Sequence, residues 1–157
     1  MPVKIKFKKL HPDAKIPTKA TSGSAGFDVY GVRTFMLGNR IHVFTGLAVA
    51  FPKDWMLQAH GRSGLSARCG ISLANNVGII DSDYRGEIVL LFDVNPGMDG
   101  LHVDHTVHMT RAFDELAPGK RVAQLMLVPV PLVEWEEVED LDETSRGTGG
   151  FGSTGTN

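Results

Sequence analysis

At 157 residues the chain is expected to form one domain, long enough to bury roughly 70% of its unfolded surface. A formal net charge of −2 gives no general affinity for nucleic acid or anionic membrane, and no apolar run reaches the ~18 residues of a membrane helix. Cys69 is the single cysteine, which excludes an internal disulfide and points to a reducing, cytoplasmic setting.

Lys4 to Leu10 reads as the opening strand: Val3, Ile5 and Phe7 alternate with Lys4, Lys6 and Lys8, a strand pattern and not a secretory signal. Pro12 and Pro17 punctuate a polar connection, and Thr21 to Gly26 is a loop of small residues. Phe27–Tyr30 is a short strand carrying an acid, Asp28. Further short apolar runs follow at Ile41–Phe44, Leu47–Phe51 and Trp55–Ala59, separated by Gly46 and Pro52. Strands this short and this regularly broken by Gly and Pro predict an all-β sandwich or barrel. Only Leu65–Arg68, after Gly64, suggests a short helix, so at most one is expected. Val89–Phe92 and Arg121–Val130 are strongly apolar strands. The acidic run Glu134–Glu143 reads as a solvated connector. Residues 96–112 form a connection too long for a hairpin. The tail from Arg146 has too few apolar side chains to order itself.

Three stretches carry candidate chemistry. Gly78 to Ile88 sets Asp81, Asp83, Tyr84 and Arg85 between two glycines and runs straight into a buried strand, as either a hairpin turn or a catalytic loop would. Gly61-Arg62-Ser63-Gly64 before the short helix suits an anion, although Ser63 could equally serve as the helix N-cap. In the tail, Gly147, Gly149 and Gly152 match the spacing of a dinucleotide fingerprint, but only five residues follow and no helix can open there. What survives is a glycine-rich segment able to approach phosphates, with Arg146, Ser153 and Thr154 as donors and Phe151 as a face for a base.

Five segments, in order, resemble the five motifs of the trimeric dUTPase family: Ala25–Val29 (AGFDV), Gly61–Leu65 (GRSGL), Gly78–Glu87 (GIIDSDYRGE), Gly119–Leu125 (GKRVAQL) and Arg146–Gly155 (RGTGGFGSTG). The resemblance implies a jelly-roll-like β fold over residues 1–145, with a flexible tail, 146–157, that closes over the site. It also implies a homotrimer with active sites at subunit interfaces, and hydrolysis of dUTP to dUMP and pyrophosphate with Mg²⁺. By the same resemblance Asp81 orients and deprotonates the attacking water, with Asp83 as its competitor in spacing alone. An Asp of reference pKa near 3.9 is ionised and able to accept a proton near neutral pH.

The remaining assignments follow from the family too. Tyr84 lies against the deoxyribose and leaves no room for a 2′-hydroxyl. Asn75 and backbone groups near Gly78 read the uracil edge, and Phe151 stacks on the base. Arg62, Ser63, Gly64 and Gln124 hold the α- and β-phosphates, while Arg146, Ser153 and Thr154 reach the γ-phosphate. Asp28 holds the metal through water, in keeping with Mg²⁺ bound mainly by phosphates and water. Arg121 is expected to make structural or subunit contacts. Ser66 and Gly61 depart from the commoner residues of the second motif without removing a chemical group.

Residues 96–112 are longer than the family usually has before the fourth motif. His102, His105 and His108 recur there at three-residue spacing with no cysteine or dense carboxylate set, which favours a surface loop or small helix over a metal site. Two other functions stand beside the main one. A dCTP deaminase, alone or combined with dUTPase activity, shares the fold and several motifs. A regulatory protein partner bound through 96–112 is the other, supported if Leu101, Val103, Val107 and Met109 are exposed.

Overall fold

The structure, a computed structural model, describes residues 2–37, 40–95 and 105–150. In chain order the elements are β1 (Lys6–Lys9), β2 (Phe27–Tyr30), β3 (Arg33–Leu37), β4 (Arg40–Phe44), β5 (Leu47–Ala50), β6 (Trp55–Gly61), α1 (Ser63–Cys69), β7 (Ile71–Leu73), β8 (Val77–Ile80), β9 (Val89–Val94), α2 (His105–Glu115) and β10 (Arg121–Pro129). Two four-stranded antiparallel sheets, ordered β2-β10-β6-β8 and β3-β4-β9-β7, face each other, and β1 with β5 forms a separate two-stranded ribbon. Leu57 and Ala59 of β6 and Leu125 of β10 point into the core from the first sheet, and Ile41, Val43, Leu90 and Phe92 from the second. Strict alternation on β4 and β9 produces this face, because successive side chains of a strand point to opposite sides. The expected all-β sandwich is therefore the architecture.

β10 lies between β2 and β6, and its pairing with β2 slips between Arg121 and Ala123. Val122 and Ala123 are both buried, breaking the alternation at that point. The extra residue of the bulge leaves Arg121 on the same side of the sheet as Gln124, the kind of re-aiming that bulges provide.

α1 is longer than expected at both ends. It starts after Arg62, whose backbone is extended, and stops at Gly70, whose φ of 62° few other residues adopt without cost. The hairpin from β7 to β8 turns through Asn76 at φ 58°, a conformation Asn tolerates better than most side chains.

The expectation of at most one short helix is overturned by α2. It begins inside the 96–112 segment and runs past it to Glu115. Ala112, His108 and, just beyond the helix, Leu116 are buried, while Met109 and Phe113 pack against the core cluster. Thr34 Oγ1 donates to the Leu116 carbonyl at 2.6 Å, tying the end of the helix to β3. His108, at 2% exposure, is thus a core-facing residue and not part of a surface loop. Periodicity could have shown this, since His108, Ala112 and Leu116 recur every four residues on one helical stripe. The polar histidines masked that stripe. His102 and the side chain of His105 lie outside the described residues.

The acidic connector is as expected: residues 131–148 are exposed and join no sheet. No helix among the described residues is long and apolar enough to cross a membrane.

If α2 is part of the core, Leu116→Ala should lower unfolding free energy by about 2–5 kcal/mol, whereas Val107→Ala should stay within about 0.5 kcal/mol. Chemical denaturation at one fixed chain concentration distinguishes the two. Equal small effects would show the helix to be peripheral.

Candidate active site

The predicted site residues fall into two groups on this chain. The first lines a cleft of about 310 Å³ that lies along β8 toward the second sheet, where Asn75, Gly78, Asp81 and Tyr84 meet the start of β9. Gly78 is required here by its surroundings: a Cβ would stand 3.2 Å from the Ala59 Cβ and 3.5 Å from Asn75 Nδ2. Its absence lets the Asn75 amide lie close to the backbone of the strand. Asp81 is exposed, and among the described residues nothing donates to its carboxylate. An acid so placed keeps its lone pairs for water.

The loop holding Asp81 is braced from within. Tyr84 N–H donates to the Asp81 carbonyl at 3.2 Å, closing a turn. Arg85 Nη1 donates to the carbonyls of Ser82 and Tyr84 at 2.7 and 2.8 Å, so this guanidinium supports the loop. The Tyr84 hydroxyl donates to the Glu87 carbonyl at 3.1 Å. Gly86 makes that fold possible, because a Cβ there would overlap the Tyr84 ring and hydroxyl. Asp83 is exposed alongside.

The second group surrounds Asp28. The register of the first sheet sets Asp28 opposite Gln124, and Gln124 opposite His60, in one row across β2, β10 and β6. Asp28 is only 4% exposed. Its Oδ2 accepts from Arg121 Nη1 at 3.1 Å and its Oδ1 from Gln124 Nε2 at 3.4 Å, with Arg62 Nε 4.0 Å away. Arg62 also donates from Nη1 to the Arg121 carbonyl at 2.8 Å. The N-cap of α1 is Arg62, with no side-chain capping bond, and Ser63 is the first helical residue, so its hydroxyl is not a cap. The amides of Ser63 and Gly64 have no carbonyl to meet within the helix, which suits an acceptor arriving from outside. A shallower hollow of about 300 Å³, lined by Arg62, Ser63, Ser66 and Asn76, opens beside them.

Arg121 makes the structural contact expected of it, as the nearest partner of the Asp28 carboxylate, and the bulge that aims it leaves no mark in the sequence except the paired Val122-Ala123. Arg68 arches back over α1, where a Cβ on Gly64 would lie 2.8 Å from its Nη1. One helical turn separates the two residues, so that contact was readable.

Arg146 stands apart from both groups. Its Nε donates to the Gly149 carbonyl at 2.9 Å in a turn started by Thr144. Phe151, Ser153 and Thr154 lie outside the described residues.

For Mg²⁺ the test is the donor set. Asp28 accepts one hydrogen bond on each oxygen, with Arg62 also facing Oδ1; its remaining lone pairs fit hydrogen bonds from metal-bound water better than direct ligation. Among the described residues no three His, Cys, Asp or Glu side chains converge. The set fits a water-mediated ion.

Comparison with known proteins gives the family. The dUTPase family model matches residues 12–155. The chain belongs to the dUTPase family. It is 41% identical over 155 residues to the deoxyuridine 5′-triphosphate nucleotidohydrolase of Wolinella succinogenes, covering 98% of this chain and 95% of that one. Among solved structures, the G164S dUTPase of Staphylococcus bacteriophage 80alpha with dUpNHpp superposes with a TM-score of 0.75 at 23% identity, over 98% of this chain and 99% of that one. The D95N dUTPase of phage phi11, described as coordinating a structural Mg(II) ion, gives 0.67 at 20% identity, over 89% and 99%. The fold is that of the dUTPases.

Replacing Asp28 by Asn keeps the shape and removes the charge that Arg62 and Arg121 face. Stability should fall by about 1–2 kcal/mol, between the values for a buried charged hydrogen bond and an exposed ion pair. Thermal unfolding with and without 1 M NaCl measures it, and no loss at either salt would mean the cluster is not held by charge.

Proposed function

We propose that the chain is a dUTP diphosphatase, hydrolysing dUTP to dUMP and pyrophosphate and so lowering dUTP while supplying dUMP. The observation that carries the chemistry is Asp81: an exposed carboxylate with unused lone pairs, on a braced loop at the rim of a cleft sized for a nucleoside. In this reading Asp81 takes a proton from a water whose oxygen attacks phosphorus. The bond bridging the α- and β-phosphates breaks, and pyrophosphate leaves with the electron pair. Asp28 would hold Mg²⁺ through water, and the ion would supply charge neutralisation on the triphosphate. Asn75 and the backbone at Gly78 pair with uracil, and Tyr84 packs on the sugar where a 2′-hydroxyl would otherwise fit. Cytosine would leave buried donors and acceptors unpaired, a stronger filter than a methyl clash. Arg62, Ser63, Gly64 and Gln124 take the α- and β-phosphates. Residues 146–157 form a tail that closes over them, with Phe151 on the base and Arg146, Ser153 and Thr154 on the γ-phosphate.

A single chain does not bring these parts together. His60 pairs with Val77 and Leu57 with Ile80, so along β6 Arg62 lies beyond one end of this ladder and Asp81 beyond the other. Six residue steps at ~3.3 Å separate them by about 20 Å, too far for both to serve one phosphate. We infer a homotrimer in which Asp81 of one chain works with Arg62 of another. Two surfaces support association. The outward face of the first sheet carries exposed Val77 and Ile79 where a solvated sheet would be polar. Beyond β10, Trp135 is 94% exposed and Leu132 fully so, on an arm that packs against none of the described residues there. The buried, unpaired Cys69 suits a cytoplasmic enzyme.

The deaminase alternative gains nothing from the geometry. For a protein partner at 96–112 the exposures divide: Val107 is 53% exposed, Met109 packs on the core, and Leu101 and Val103 lie outside the described residues.

The deciding assay offers dUTP, dCTP, dTTP and UTP separately with Mg²⁺ and identifies products. Pyrophosphate from dUTP alone is expected; ammonia from dCTP would overturn the reading. Subunit sharing has its own test. Asp81→Asn should lose about 10²–10⁴-fold in turnover while still binding nucleotide. Refolding it together with Arg62→Ala chains should restore about a quarter of wild-type activity, since some sites then draw both intact residues from different chains. A mixture no more active than its parts would place the whole site on one chain.

A further inference from the structure

Tyr84 is the gate in the reading above, but a tyrosine on an exposed turn discriminates only if its ring cannot yield. Its hydroxyl rests on the carbonyl of Glu87. Gly86 between them offers no side chain to wedge them apart, so the ring position follows wherever Glu87 is held.

Glu87 is held by its own carboxylate. Oε1 accepts from the Gly46 N–H at 2.7 Å, and Oε2 accepts from Arg33 Nη2 at 3.2 Å. The side chain is 18% exposed, against 44% for Arg33. Both partners belong to another part of the fold. Gly46 forms the turn from β4 to β5 at φ 67°, where a Cβ would stand 2.9 Å from the His11 Cβ. Arg33 opens β3, with its guanidinium 4.8 Å from the Phe44 ring centre. The same turn grips the next residue: Thr45 N–H and Oγ1 both donate to the Ile88 carbonyl, at 3.2 and 2.7 Å, and Ile88 N–H donates to Leu47 at 2.8 Å. The backbone on which Tyr84 leans is therefore stapled to the β4–β5 turn, and the Glu87 side chain is the staple nearest the tyrosine.

We propose that Glu87 is a positioning residue for sugar selection: by gripping Gly46 and Arg33 it fixes the carbonyl that stops the Tyr84 ring from retreating before a ribose. Glu87 has no part in proton transfer here and acts only through Tyr84. The inference rests on the reading of Tyr84 as the gate against a 2′-hydroxyl.

The test compares kcat/KM for dUTP and for UTP in the full-length enzyme and its variants. Glu87→Ala should narrow the dUTP-to-UTP ratio by about tenfold, the order of one lost hydrogen-bonded anchor, with most of the change in UTP. Glu87→Gln keeps an oxygen for Gly46 and should recover the ratio to within about threefold. Tyr84→Phe removes the hydroxyl that reads Glu87, so adding Glu87→Ala to it should narrow the ratio little further. Equal loss on both nucleotides in Glu87→Ala would reduce Glu87 to a structural residue and overturn the proposal. An unchanged ratio there, with selection abolished in Tyr84→Ala, would overturn the proposal and leave the gate standing. Full selection in Tyr84→Ala would instead remove the gate itself. If Glu87→Ala does not fold, Arg33→Ala cuts the Oε2 contact alone and should narrow the ratio by about threefold, and no narrowing there counts against the proposal.

Discussion

A carboxylate buried as deeply as Asp28 costs several kcal/mol unless charge and hydrogen bonds are brought to it. Much of the structure around β2, β10 and the start of α1 is the set of elements that bring them. The bulge in β10 aims Arg121, the register of β2 on β10 supplies Gln124, and the extended backbone at Arg62 turns its guanidinium back toward the strand before α1 begins. The start of α1, with its uncommitted amides, is fixed as a consequence. Asp81 is the counterpart: a carboxylate left in solvent, its loop closed by backbone bonds and by Arg85 and not by anything that touches the acid. One aspartate is used as an anchor and the other is kept available.

The sequence carried the architecture well, because antiparallel strands with one buried face advertise themselves by alternation, and Gly46, Pro52 and Gly70 stand where elements stop. β3 was harder to see: Arg33–Leu37 is mostly exposed and has no inward apolar rhythm. α2 reads in the sequence only as a surface loop or small helix, for a different reason: its core-facing stripe begins with a histidine where an aliphatic side chain would have signalled a core helix. For the site, the residue types and their order pointed to the dUTPase family, but neither the pairing of Arg121 with Asp28 nor the anchoring of Glu87 on Gly46 could be read. Both join positions more than forty residues apart, and both depend on register, which the sequence does not state.

Placement of Arg62 and Asp81 at opposite ends of one ladder has a second meaning for specificity. Asn75, Gly78, Asp81 and Tyr84 line one cleft, whereas Arg62 and Gln124 stand beside Asp28 on another part of the surface. If the first reads the nucleoside and the second the triphosphate, as proposed, selection among nucleosides can be adjusted around Tyr84 and Asn75 without disturbing Arg62.

β10, the last strand among the described residues, sits in the interior of its sheet between β2 and β6. Those two strands have no other common neighbour, so the sheet cannot close until residues 121–129 are available. During synthesis β2 and β6 must wait, their facing edges unpaired, until residues 121–129 have left the ribosome. Folding of this protein is consequently a late and concerted event, dominated by distant pairings and slow for its size. The interval before β10 arrives is when it is most open to aggregation.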